Sequence, residues 1–255
     1  MRKFNIFVLS ILCSLLLITP YSKPIYATSE TNELKRITYI DNDPSDGNII
    51  YEFNNNGTIY RITEYIENNY EKVTSYIEVK QDDGSYKLIT KDQSIITENG
   101  IEISSFDYES SKLNNYTYTV ANETVTLKND LDEQEISLLG SSSSWVYDGT
   151  TYGSNKIAKY TVAFVTQIII SLALPGSGVA NAVASVIIGD IANYIVDNLI
   201  PTVYYSRAYY EKHALDVSWY MVTGSKWITR FYENSNRTQF INSVTDVVYL
   251  DGYEE

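Results

Sequence analysis

The chain predicts an α+β fold: an N-terminal antiparallel β meander, then a central α-helical hairpin packed against a C-terminal antiparallel β-sheet. Three observations carry this reading. Residues 156–200 hold two helix-length apolar runs, KIAKYTVAFVTQIIISLAL and VANAVASVIIGDIANYIVDNLI, that meet at Pro-Gly-Ser-Gly. Upstream, short runs rich in Tyr, Ile, Val and Thr alternate with turn residues. Downstream, residues 202–250 return to strand-like runs dense in tyrosine and tryptophan, side chains that suit a pleated surface.

In chain order, residues 1–27 place Arg2 and Lys3 before an apolar stretch and end at Ala27, the pattern of a secretory signal peptide. The expected location is therefore extracellular. Cys13, the single cysteine, lies in this leader. The remaining 228 residues have no thiol, which excludes a disulfide, a thiolate metal site and a cysteine nucleophile. A large exported chain without disulfides suits a Gram-positive producer.

Residues 28–140 form the expected β-rich domain. NNNG at 54–57 and QDDG at 81–84 end in pairs that accept the positive φ of two-residue hairpin turns. Along 59–66, Tyr60, Ile62, Glu64 and Ile66 share one face and Ile59, Arg61, Thr63 and Tyr65 the other. Charge is segregated: Thr28 to Ser144 holds 22 acidic and 9 basic residues, whereas Trp145 to Leu250 holds 7 of each. Such acidity argues against nucleic acid, which demands basic patches, and repels an anionic membrane from that half. Its carboxylates read as a solvated face. Asp41, Asp43 and Asp46 are spaced like alternate ligands of a calcium loop, but Asp46 stands where the EF-hand needs glycine. The serines at 141–144 read as a linker and, near 140–144, as a site for a processing protease. Residues 28–140 would then be an acidic pro-region that keeps the apolar half soluble.

The domain at 145–255 opens with WVYDGTTYGSN, an aromatic strand or loop. Ser154 or Asn155 is the expected helix cap. Pro175, Gly176 and Gly178 make the reversal between the two helices. Gly178, Ala182, Ser185, Gly189 and Ala192 recur at three and four residues, a small-residue flank where a helix can pack closely. Asp190, Asn193 and Asp197 share another side, making the second helix amphipathic. The first helix is shorter than the roughly 20 apolar residues that span a bilayer, and the two aspartates make the second a costly span. The hairpin thus suits either a buried core or entry into a membrane surface.

In the tail, Gly224-Ser225 reads as a two-residue loop joining Leu215–Thr223 to Lys226–Tyr232. Trp145, Tyr209, Tyr210, Trp219 and Trp227 are candidates for a membrane-interface belt or for packing between strands. Arg207, Lys212, Lys226, Arg230 and Arg237 supply cations beside them for lipid phosphates or wall polymers.

Catalytic signals are sparse. His213 is the only histidine; Ser206 or Ser218 with Asp216 would complete a triad only arithmetically, with no nucleophile elbow. One histidine and no cysteine exclude the common zinc clusters, and no phosphate-binding glycine loop is present. No cofactor is expected. A carboxylate-pair hydrolase remains an alternative.

This layout of leader, acidic strand-rich segment, WVYDGTTYGSNKIAKY, apolar LPGSG hairpin and Tyr-rich strands resembles the large secreted bacteriocins of the geobacillin type. The resemblance is one of organisation. It implies a non-enzymatic antibacterial protein acting on the membrane or envelope of related bacteria. The main alternative is a non-enzymatic cell-wall or surface binding protein.

Overall fold

The computed structural model describes residues 35–41, 47–120, 125–127, 145–174, 182–214 and 221–250. Residues 1–27, the serines at 141–144, Asp43, Asp46, Pro175, Gly176, Gly178, Asp216, Ser218 and Trp219 lie outside these residues.

The first seven strands are β1 (Ile37–Asp41), β2 (Asn48–Asn55), β3 (Thr58–Glu67), β4 (Lys72–Lys80), β5 (Tyr86–Thr97), β6 (Gly100–Asp107) and β7 (Lys112–Tyr118). They pair in sequence order as one antiparallel meander. The β2–β3 turn is the expected two-residue hairpin: Asn55 pairs with Thr58, and Asn56 and Gly57 both have positive φ. At 81–85 the loop is longer, with Gly84 alone in the left-handed region and the Gln81 amide bonded to the Ser85 carbonyl.

The second sheet runs β12-β11-β10-β9-β8, with β8 (Val125–Leu127), β9 (Val146–Lys156), β10 (Thr202–Ala214), β11 (Met221–Tyr232) and β12 (Phe240–Tyr249). Between the sheets in the chain lie α1 (Val162–Ala173) and α2 (Ala182–Asp197). Helix α1 touches β5 and β6 of one sheet and β11 and β12 of the other, while α2 packs on α1, β12 and β1. The result is a helix layer between two sheets, with a single apolar cluster that includes Ile49, Ile103, Ile168, Ile191, Phe231 and Val244.

Two local readings are corrected. Ser154 and Asn155 do not cap a helix; they belong to β9, which pairs with β10 as far as Lys156, and α1 begins after Thr161. Strand pairing across the chain thus overrides the local cap signal. Gly224 and Ser225 are not a loop but lie inside β11, paired to β10 and β12. A Cβ at Gly224 would stand 3.1 Å from both the Trp145 and Tyr249 rings, so the missing side chain makes room for rings rather than for a reversal. Gly153 does the same on β9, where a Cβ would fall 2.3 Å from the Tyr205 hydroxyl oxygen.

Candidate functional site

Helix α1 carries no charge, and eleven of its residues are buried, all but Ser171. At about 1.5 Å per residue it is roughly 18 Å long, and among the described residues no helix is long and apolar enough to cross a membrane. Its first turn has no acidic residue and its last turn no basic one, so neither end of its dipole is balanced from within. The sheets supply a hydrogen-bond partner at each end.

At the N-terminus, orphan helix amides meet the first sheet. The Val162 amide donates to Tyr51 Oη at 2.9 Å, and the Ala163 amide donates to the Glu64 carboxyl at 3.0 and 3.2 Å. Ser75 Oγ donates to the same carboxyl at 3.1 Å. Glu64 is wholly buried, and burial pushes its pKa up to about 7, against the lowering effect of the Ala163 amide and the hydroxyls of Thr161, Ser75 and Tyr51. Next to it, Lys159 Nζ pairs with Asp92 Oδ2 at 2.6 Å, with both side chains largely enclosed. Half way along the helix, buried Gln167 accepts from Ser94 Oγ at 2.7 Å and donates to the Tyr70 carbonyl at 2.9 Å.

At the C-terminus the partner is Arg207 of β10, whose guanidinium donates to the Leu172 carbonyl; burial lowers its pKa from the ordinary guanidinium value. A carboxyl at the positive end and a guanidinium at the negative end complement the helix dipole. Arg207, read from the sequence as a cation for lipid phosphates or wall polymers, is therefore a helix clamp.

Helix α2 is held differently. Asp197 sits at its C-terminal end, unfavourable for the dipole, and accepts the amides of Arg36, just before β1, at 2.6 Å and of Ile37, its first residue, at 3.1 Å. Tyr39 Oη donates to Asn193 Oδ1. Asp190 and Ser185 are exposed. Gly189, expected at a close helix contact, has nothing within 4 Å of where a Cβ would stand. With Ser185 and Asp190 it lines a cleft of about 640 Å³ that opens against Ile66 and Tyr70 of the first sheet. Ala182 is the first residue of α2.

The aromatic candidates divide between two faces of the second sheet. Tyr209 and Trp227, on the helix-facing side, pack at 5.4 Å between centroids. Tyr210 and Trp145 lie on the other side, each beside Lys226. Lys212 is nearly buried between strands and rings. Arg237 lies over the Tyr152 ring and donates to the Tyr205 carbonyl.

Glu64, Ser75 and Asp92 are cross-strand neighbours in one row of the first sheet, which sets two carboxylates on either side of one strand. Both carboxylates are engaged by α1 and the segment before it. His213 pairs with Glu211 at 3.2 Å; Ser206, seven residues back along β10 and about 23 Å away at strand spacing, shares a hydrogen bond with Tyr232. The sequence reading missed Glu64 as a site residue, although its phase with Tyr60, Ile62 and Ile66 had placed it on the apolar face. No protein-family model matches the chain, and neither the curated proteins nor the solved structures give a match.

Proposed function

We propose that this chain is a secreted antibacterial protein that acts on the membrane or envelope of related bacteria, and that it is stored with its apolar helix sheathed. The observation that supports this is the mounting of α1. An uncharged, largely apolar helix is enclosed between an acidic sheet and an aromatic one, and it is held to the acidic sheet through a buried polar set, Tyr51, Glu64, Ser94 and Gln167.

In this reading the acidic sheet acts as the sheath. When it lifts, or when a protease removes it, α1 and α2 present apolar surface worth roughly 25 cal/mol per Å² once it is buried in lipid. At about 18 Å, α1 reaches into one leaflet rather than across the roughly 30 Å hydrocarbon core. It would disturb packing without forming a span.

The test is growth inhibition of related Gram-positive bacteria by the purified secreted chain, run beside dye release from vesicles of their lipids. Killing with dye release supports the reading. Unharmed cells and intact vesicles, with retention on isolated walls, would replace it by the wall-binding alternative.

A further inference from the structure

The second sheet has one face on the helix layer and one turned away. Strand register assigns the outward positions: Lys156 and Tyr152 on β9, Tyr204 and Tyr210 on β10, Lys226 and Arg230 on β11, with Thr245, Val247 and Tyr249 beside them on β12. None of the described outward positions of β9–β12 carries Asp or Glu. The carboxylates of these strands fall on the other side: Glu211 bonds the helix-facing Tyr209, Asp148 acts on the same tyrosine, and Asp246 pairs with Trp227. In a chain of net charge −13, this face is cationic and aromatic.

Its centre is built from lysines among rings. Lys226 Nζ lies 4.6 Å from the Trp145 centroid and 4.7 Å from that of Tyr210, and Lys212 Nζ lies 5.3 Å from that of Tyr249. Gly224 leaves the space in which Trp145 and Tyr249 meet. Around this centre Lys156, Arg230 and Val247 are exposed. Rings with a polar tip and an apolar body suit the headgroup depth of a bilayer, and each surface cation near an anionic leaflet adds about 1 kcal/mol.

We infer that the outward face of the second sheet is the docking surface of this protein for the phosphodiester headgroups of an anionic bilayer. Charge complementarity selects this occupant. The acidic first sheet, on the far side of the helix layer, is repelled by the same surface that attracts Lys226 and Arg230, so the field orients the molecule with the aromatic face down. This inference rests on the envelope-directed reading above and gives it a point of contact distinct from the helices.

The experiment is flotation of the secreted chain with phosphatidylglycerol vesicles and, separately, phosphatidylcholine vesicles, with growth inhibition measured in parallel. Binding to the anionic vesicles alone, weakened by salt, is expected. Lys226→Gln/Arg230→Gln should lower that affinity about 30-fold, from two contacts of about 1 kcal/mol each. Lys156→Gln/Arg230→Gln, confined to exposed positions, should lower it comparably without changing the melting temperature. Lys87→Gln/Lys112→Gln on the first sheet should leave binding unchanged.

Equal loss from the first-sheet pair, equal binding to both vesicle types, or retention only on isolated cell walls would overturn the inference, the last in favour of an anionic polymer. A chain that kills but ignores vesicles overturns the docking face alone. One that binds vesicles through this face without killing supports the docking and removes the antibacterial reading.

Discussion

Helices α1 and α2 look alike as sequence, two apolar runs on either side of one turn, yet the fold treats them in opposite ways. Helix α1 is closed in by both sheets and has each end met by a polar side chain from a different sheet, the Glu64 carboxyl at one and the Arg207 guanidinium at the other. Helix α2 keeps a face open: Val186 is 66% exposed and Asp190 is solvated, while Asp197 ties its end to β1. Apolarity alone therefore does not say which helix is stored. The distinction lies in what the sheets contribute to each end.

The largest break in this comparison comes from matched truncations. Ile168→Ala, at a fully buried position of α1, should destabilise the fold by about 2–5 kcal/mol, whereas Val186→Ala on α2 should cost under about 0.5 kcal/mol. Chemical denaturation of the two variants measures both, and similar losses would show that the helices are equally enclosed.

Next comes pH. Glu64 holds its proton to about pH 7 in the folded chain, against an ordinary value of 4.5. The native state thus binds more protons than the unfolded chain between those values. Stability from this group is complete below pH 4.5, falls as pH rises, and levels off above about 7, a loss of about 3 kcal/mol. Tyr39, Tyr51 and Tyr70 face the same carboxyl, and burial raises the pKa of each, so they stay neutral throughout this window. In Glu64→Gln the decline should vanish from thermal melts taken between pH 4.5 and 7. A smaller effect, about 1–3 kcal/mol, is expected for Arg207→Ala, which leaves the Leu172 carbonyl without its charged donor. An unchanged melting temperature would remove the clamp from the account.

The fold class was legible because its signals are local. Apolar periodicity marked both helices, and Asn56-Gly57 marked a hairpin that forms as read. What escaped depends on partners distant in sequence. The Ala163 amide and Glu64 are 99 residues apart, so nothing near Glu64 told of a helix end resting on it, although a carboxylate in phase with Ile62 and Ile66 was the available clue. Arg207 repeats the case, in phase with buried Val203 and Tyr205. Gly224-Ser225 misled in the opposite direction: a strong turn pair is overridden when two rings need the space of the missing side chain.

The central claim is that the first sheet must part from the helix layer for the protein to act. Asp197 Oδ1 lies 2.6 Å from the Arg36 amide, and a cysteine pair there, Arg36→Cys/Asp197→Cys, would tie the start of β1 to the end of α2; the one native cysteine, Cys13, falls outside residues 28–255. Growth inhibition by the oxidised and reduced forms of this one variant is the most direct measurement. The account predicts an inactive oxidised form whose killing and dye release return on reduction; equal activity of the two forms would contradict it.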